Sequence, residues 1–176
     1  VYEGTARGDF KETACEIVFN TSMTGYVEIL TDPSYAGQGV VMTYPMIGNY
    51  GISREDFESE RLQPSAFIVH ELSSDPSNFR CTDTIENLLK EYNIPCISGV
   101  DTRAVVKKLR ESGTMRGVLT SDIGDRERLM DVIKSFRQID LVGSVTAKQT
   151  KVYGEENTGA EIALMDFGTK RNIINN

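Results

Sequence analysis

The spacing of apolar residues predicts three amphipathic helices in the second half of the chain. The apolar positions of the first helix follow the i, i+3, i+4, i+7 rule: Ile85, Leu88, Leu89 and Tyr92. The preceding Asp83-Thr84-Ile85-Glu86 has the spacing of a capping box with Asp as its first residue. We therefore expect this helix to begin after Asp83 and to end before Pro95.

The second and third helices show the same spacing. The second follows Asp101 or Thr102 as its N-cap, and Gly113 is suited to end it. Arg103 would lie in its first turn, where the helix dipole disfavours a cation, so we expect a carboxylate partner for it. The third helix runs from about Asp125 to Phe136.

Short runs rich in Val, Ile, Phe or Tyr, bounded by turn residues, predict strands. These runs are Glu16–Asn20, Gly39–Tyr44, Ser65–Glu71, Ile94–Ile97 and Met115–Thr120. The first half of the chain is thus mostly strands and turns, and the second half contributes the helices. This order predicts an α/β fold in which a β-rich layer joins an α/β layer.

The pattern changes again towards Asn176. Val142–Gly159 is polar and has no sustained period, which is typical of a linker. Glu161–Phe167 then resumes a strand pattern, and Ile162–Phe167 is apolar on both faces, as in a buried parallel strand. Gly168 would make a turn before about one helical turn, so the segment resembles the opening of a second α/β domain. We expect it to be frayed, or to take contacts from the first domain or from another chain.

Composition narrows the class of protein. The chain has 176 residues and a net charge of −7, and this acidic balance argues against nucleic acid as a general partner. No apolar stretch approaches the roughly 20 residues of a membrane span. The three cysteines Cys15, Cys81 and Cys96 are far apart, which favours isolated thiols in a reducing compartment and a cytoplasmic location.

One stretch, Phe19–Gly39, is dense in hydroxyl side chains and contains Asp32-Pro33-Ser34. The Asp carboxylate can accept backbone N–H groups two residues on, and Pro33 restricts its own φ, so this turn would hold Ser34 rigidly with its hydroxyl outward. Composition alone leaves two interpretations open: a structural turn between β elements, or the polar rim of a small-ligand site.

Other candidates for chemistry are weaker. Gly37-Gln38-Gly39 lacks the third glycine of a dinucleotide fingerprint and precedes a strand instead of following one. His70 has no second ligand at metal-binding spacing. None of the cysteines has the small flanking residues of a nucleophile elbow. A nucleotide- or metal-binding domain therefore has almost no support.

Several stretches together resemble the small, glutamine-hydrolysing subunit of carbamoyl-phosphate synthase, and they occur in that family's order. They are FNTSMTGYVEILTDPSYAGQ (19–38), TYPMIGNYG (43–51), SGVDTRAVVKKLRESGTMRGVL (98–119) and MDFGTKRNI (165–173). The resemblance implies a swivelling β/β/α-type N-terminal domain over residues 1–141, a linker over 142–160, and the truncated start of a class I glutamine amidotransferase domain over 161–176.

The same resemblance implies an activity for the parent protein. The family hydrolyses glutamine with a Cys-His-Glu triad and passes ammonia to the large subunit, which uses bicarbonate, ATP and Mg²⁺ to make carbamoyl phosphate for arginine and pyrimidine synthesis. The serine of the family's TDPSY turn, here Ser34, would contact substrate glutamine. The triad has no counterpart among these 176 residues, so we expect no catalytic residue and no cofactor in this chain, and no activity of the fragment alone.

Two classes of function thus remain. In the first, the chain is part of a glutamine-dependent ligase, which binds the synthase large subunit as its protein partner and glutamine as its substrate. The alternative is a non-catalytic interaction domain that docks a partner protein through its polar loops.

Overall fold

A six-stranded mixed sheet forms the centre of the molecule. The structure is a computed structural model that describes residues 1–137, 140–154 and 159–176. Its strands are β1 (Thr5–Arg7), β2 (Thr13–Asn20), β3 (Gln38–Met42), β4 (Met46–Ile47), β5 (Ala66–Ile68), β6 (Glu71–Leu72), β7 (Cys96–Ser98) and β8 (Met115–Leu119). The sheet order is β1-β7-β5-β3-β2-β8, and β4 pairs with β6 separately. The four central strands are parallel, and the two edge strands are antiparallel to their neighbours.

Helices lie on both faces of this sheet. They are α1 (Tyr26–Thr31), α2 (Ile85–Glu91), α3 (Thr102–Ser112), α4 (Arg126–Ser135), α5 (Leu141–Val145) and α6 (Arg171–Asn175), with short 3₁₀ turns at Pro33–Tyr35 and Arg54–Asp56. None of the helices in the described ranges combines the length and the apolar character that a membrane crossing requires.

The core follows from the alternation of side chains along the strands. In β3, Val40 and Met42 pack on one face with buried residues of α1 and α2, whereas Val41 packs on the opposite face with Val106 of α3. Because both faces are covered, Val40–Met42 of β3 and the whole of β5 are apolar instead of alternating. The α/β fold class predicted from the sequence is confirmed.

The helix predictions are confirmed, with one correction at an N-terminus. Asp101 and Asp125 cap α3 and α4, since their side chains accept hydrogen bonds from Ala104 N and Arg128 N. In α2, however, the N-cap is Thr84, whose hydroxyl accepts from Asn87 N at 3.2 Å. Asp83 lies one residue earlier and accepts instead from Thr84 N at 2.7 Å, so the prediction was displaced by one residue.

Two expectations, one about charge and one about periodicity, are not confirmed by the described residues. Among the described residues no carboxylate forms an ion pair with Arg103. The polar stretch Val142–Gly159, predicted to be a linker because it has no sustained period, begins inside helix α5, whose N-cap Asp140 accepts from Gly143 N at 2.8 Å. Residues 155–158 of that predicted linker lie outside the described residues.

The predicted strand at Glu161–Phe167 is also wrong. These residues have no regular secondary structure, and Ile162 is 89% exposed. A strand requires a neighbour to take its backbone hydrogen bonds, and no described strand pairs with this segment. The residues that follow, however, contact the earlier part of the chain through Asp32 and Glu58.

Candidate functional site

The turn after α1 has the geometry that its sequence predicts. Asp32 Oδ1 accepts a hydrogen bond from Ser34 N at 2.9 Å, and Tyr35 N donates to Asp32 O at 3.0 Å. Pro33 is buried under the turn, and Ser34 is exposed. The turn is therefore held from below by Pro33 and from the side by Asp32, and it presents the Ser34 hydroxyl to solvent.

Buried hydrogen bonds fix the helix that leads into this turn. The hydroxyl of buried Thr31 donates to Val27 O at 2.8 Å and accepts from Glu58 N at 2.9 Å. Ser59 Oγ donates to Thr31 O at 2.6 Å. Since buried polar groups cost free energy unless they are paired, these bonds favour one position of the turn.

Not every hydroxyl of Phe19–Gly39 lies at the surface. Thr31 is buried, and buried Tyr26 donates its hydroxyl to Gly51 O at 2.8 Å. Helix α1, which the sequence analysis did not predict, turns both side chains inward. These two hydroxyls are therefore excluded from the candidate polar rim, whereas the exposed Ser34 remains a candidate.

The residues near Asn176 pack against the same turn. Lys170 Nζ lies 3.6 Å from Asp32 Oδ2, so one aspartate faces both Ser34 and a cation. A methyl group added to Gly168 would lie 3.0 Å from the Cβ of Pro33, which means that Gly168 packs closely against the Pro33 ring. This confirms the expectation that the segment takes contacts from the first domain.

Glu58 provides the strongest of these contacts. Its side chain is largely buried, and its carboxylate accepts from Asn172 N at 3.1 Å and from Asn172 Nδ2 at 2.8 Å. The backbone oxygen of Glu58 accepts from Arg171 N at 2.8 Å. A buried carboxylate bonded through both oxygens is expensive to separate from its donors.

Asp166 shapes the segment just before these contacts. Its Oδ1 accepts from Thr169 N at 2.7 Å and from Gly168 N at 2.9 Å. The hydrogen bond from Thr169 N, followed by that from Gly168 N, holds the pKa of Asp166 below its ordinary value. Its own backbone oxygen accepts from Ala147 N at 3.1 Å, which ties the segment to the residues after α5.

The remaining candidates lie elsewhere. Burial raises the pKa of both the Cys15 and the Cys96 thiols to about 12, so neither is a thiolate at neutral pH. The thiol of partly buried Cys81 donates to Asp83 O at 3.3 Å. His70 is exposed, with its Nδ1 3.1 Å from Val100 O. The described residues contain no cluster of three or more potential metal ligands.

Asp32 and Ser34 were predicted from the sequence, whereas Glu58 and Lys170 were not. The Asp166-Phe167-Gly168-Thr169 stretch carried a signal, because an Asp two residues before a Gly is typical of an Asx turn. Glu58 carried none, since its partner Asn172 lies 114 residues away along the chain.

Fold and site together define an α/β domain that presents a rigid serine turn, with a later segment of the chain docked beside it. A family model described as carbamoyl-phosphate synthase small chain, CPSase domain, matches residues 1–119. The chain belongs to this family, as the resemblance of its four motifs predicted.

Curated relatives carry the same description. Carbamoyl phosphate synthase small chains from Clostridium perfringens and Archaeoglobus fulgidus are each 47% identical to this chain, over 100% and 98% of its length. The protein of that name from Caldanaerobacter subterraneus is 45% identical over 99% of the chain. The chain spans about half the length of these relatives, between 46% and 50%.

Proposed function

We propose that this chain is part of the small subunit of a glutamine-dependent carbamoyl-phosphate synthase. In this proposal the parent protein hydrolyses glutamine and channels ammonia to a large subunit, which makes carbamoyl phosphate with ATP and Mg²⁺. Family membership and the names of the relatives support the proposal. The division into a domain over 1–141, a linker over 142–160 and an amidotransferase start over 161–176 belongs to it as well.

Within this function, Ser34 contacts substrate glutamine. The observation that carries this assignment is the exposed Ser34 hydroxyl on a turn that Asp32 fixes through Ser34 N. The Ser34 side chain forms no hydrogen bond to the described residues, so both its proton and its lone pairs are free for a ligand. A neutral hydrogen bond of this kind stabilises a complex by about 0.5–1.5 kcal/mol, or roughly 2- to 13-fold in affinity.

In this proposal the chain helps to position the substrate glutamine and does not carry out the chemical step. A thiol-dependent glutaminase needs an activated nucleophile and a base oriented by a third group. Cys15 and Cys96 are buried with raised pKa values, and the Nδ1 of exposed His70 lies 3.1 Å from Val100 O, with no hydrogen bond to either thiol. We therefore propose that these 176 residues alone do not hydrolyse glutamine. Free cysteines also favour a cytoplasmic location.

The assignment is tested by substituting Ser34 in the full-length protein. The variant is assembled with its large subunit before activity is measured. Ser34→Ala is expected to raise the KM for glutamine about 2- to 13-fold and to leave ammonia-dependent synthesis unchanged. Ser22→Ala, which removes another exposed hydroxyl of the same stretch, is the matched control and should change neither activity. Equal loss of both activities in Ser34→Ala would contradict the assignment and indicate a defect in folding or assembly.

A further inference from the structure

A cationic groove lies on the opposite face of the sheet from α1 and α2. It has a volume of about 380 Å³ and lies between α3 and the residues that follow β2 and β3. Thr21 and Thr43, which come directly after these two strands, line one side, and Arg103, Lys107 and Arg110 of α3 line the other. Crevices at the carboxyl ends of parallel strands are the usual place for ligands in α/β sheets.

The three cations have no anionic partner within the described parts of the chain. None of the ion pairs there includes Arg103, Lys107 or Arg110. This is notable in a chain of net charge −7, where carboxylates outnumber cations. Arg103 in addition opposes the dipole of α3 from its first turn. Like charges held together at this cost favour an anion supplied by another molecule.

The shape of the cationic groove distinguishes between kinds of anion. The cations occur at positions i, i+4 and i+7 of α3, so they extend over about 10 Å along the helix. The guanidinium of Arg110 lies 5.6 Å from the centre of the Phe19 ring, which holds that cation against β2. This row of three cations is longer than one phosphate group. Its length matches several carboxylates along an extended peptide segment.

Two neighbouring features favour a protein over a small polyanion. Glu111 also lines the groove, where it would repel a free polyphosphate but could pair with a cation of a protein surface. Met23, two residues after Thr21, and Met46, at the start of β4 three residues after Thr43, are exposed by 69% and 40%. Methionine and arginine are enriched at protein interfaces.

We propose that the cationic groove is a docking surface for an acidic segment of a partner protein. That the partner is the synthase large subunit rests on the proposed function. The groove is separate from the Ser34 turn, because its lining residues come from α3 and the strand ends and not from 32–36 or 166–172. It therefore adds an interaction site to a chain whose proposed substrate contact lies elsewhere.

The docking surface is tested by measuring how tightly the full-length protein binds its large subunit. The variant Arg103→Glu/Lys107→Glu/Arg110→Glu is expected to weaken the complex at least 10-fold in about 0.1 M salt. Raising the salt to about 1 M shortens the Debye length from about 10 to 3 Å and should weaken the unmodified complex more than the variant complex. The dissociation constants are measured by calorimetry.

Two controls separate docking from folding and from net charge. Lys11→Glu/Arg116→Glu/Arg126→Glu makes the same change of charge at exposed residues outside the groove and should bind within about 2-fold of the unmodified protein. The single variants Lys107→Glu and Lys108→Glu alter adjacent exposed residues of α3, of which only Lys107 lines the groove, and only the first should weaken binding. Thermal unfolding monitored by circular dichroism checks that each variant is folded.

The outcomes are distinguishable. If the unmodified protein forms no complex with the large subunit, the proposed function fails and this docking partner fails with it. If the triple groove variant binds as tightly as the unmodified protein with the same salt dependence, only the docking surface is refuted. Pyrophosphate binding that the triple variant abolishes, together with unchanged affinity for the large subunit, would overturn the docking surface and assign the groove to a phosphorylated ligand.

Discussion

At the scale of single residues, two aspartates organise the turns that meet at the Ser34 site. Asp32 accepts from Ser34 N through one oxygen and faces Lys170 at 3.6 Å with the other. Asp166 accepts from the backbone of Gly168 and Thr169. Because Gly168 also lies against Pro33, a change in either turn is transmitted to the other through direct contact. The position of the Ser34 hydroxyl therefore depends on residues far from it in sequence.

The Asp166 turn is expected to loosen in acid. Its pKa is lower in the folded chain than in the unfolded chain, where about 3.9 is ordinary. A group with a lowered pKa stabilises the fold above its unfolded pKa, and that stabilisation is lost as the pH falls through its folded pKa. We expect hydrogen-exchange protection of the Gly168 and Thr169 amides, corrected for intrinsic rates, to be constant above about pH 5 and to fall below about pH 4.

Asp166→Asn provides the comparison. An amide oxygen still accepts hydrogen bonds but carries no charge, so protection should be lower at neutral pH and should not change between pH 5 and pH 2. Protection of both amides that persists unchanged to about pH 2 in the unmodified chain would contradict the role given to the Asp166 carboxylate.

At this scale, the sequence predicts hydrogen bonds between residues that are close together in the chain, and few others. The bond from Asp32 to Ser34 spans two residues, and the identities of Asp, Pro and Ser are sufficient to predict it. The bond from Asn172 to Glu58 spans 114 residues, and only the folded chain brings the two together. Nothing about Glu58 in the sequence separates it from the exposed Glu55 and Glu60 on either side.

At the scale of elements, length and periodicity decide what can be predicted. Helices α3 and α4 have 11 and 10 residues, enough for their apolar positions to repeat, and both were predicted within a residue or two of their ends. Helix α1 has six residues, begins after Gly25 with φ 81°, and contains β-branched residues that favour strands, so no repeat reveals it. Ile162–Phe167 has the composition of a strand, but a strand also needs a neighbour that composition cannot show.

The close contact between β2 and β3 makes a prediction at the level of the sheet. Gly39 lies opposite Ile17, and a methyl group added to it would lie 2.7 Å from Cys15 Sγ and 2.8 Å from Ile17 Cδ1. Gly39→Ala should lower the free energy of unfolding by about 1–3 kcal/mol, because the buried core cannot accept the added group without moving these side chains. Chemical denaturation provides the measurement.

A double-mutant cycle isolates the cause. Cys15→Ala removes the nearer of the two clashing atoms, so Gly39→Ala should cost less in the Cys15→Ala background than in the unmodified chain. Gly159→Ala, at a glycine with no described atom within 4 Å of the added group, should change stability very little. Equal costs of Gly39→Ala in both backgrounds would assign the effect to Ile17 or to the backbone and not to the contact with Cys15.

At the scale of the whole molecule, one segment departs from the usual distribution of apolar side chains. The buried apolar residues form clusters on the two faces of the sheet. Ile162, Leu164, Met165 and Phe167, in contrast, are exposed by 89%, 52%, 74% and 58%. Among the described residues, hydrogen bonds to this segment begin at Asp166, so the backbone groups before it have no partner there and its apolar side chains are exposed. Extended apolar backbone of this kind is a template for pairing with another chain.

We therefore expect the 176-residue chain to self-associate as its concentration rises from micromolar to millimolar, as sedimentation velocity can measure. Leu164→Lys/Met165→Lys places a charge on each side of the extended segment and should shift the population towards monomer, because charged residues oppose edge pairing. Phe79→Lys/Ile123→Lys alters two other exposed apolar residues and should leave self-association unchanged. A chain that remains monomeric throughout the concentration range, or that associates equally in all three forms, would show that contacts from Asp166 onward are enough to keep this segment from pairing. Association of the unmodified chain that the Leu164→Lys/Met165→Lys variant loses would instead mean that this apolar segment takes a second chain beside it.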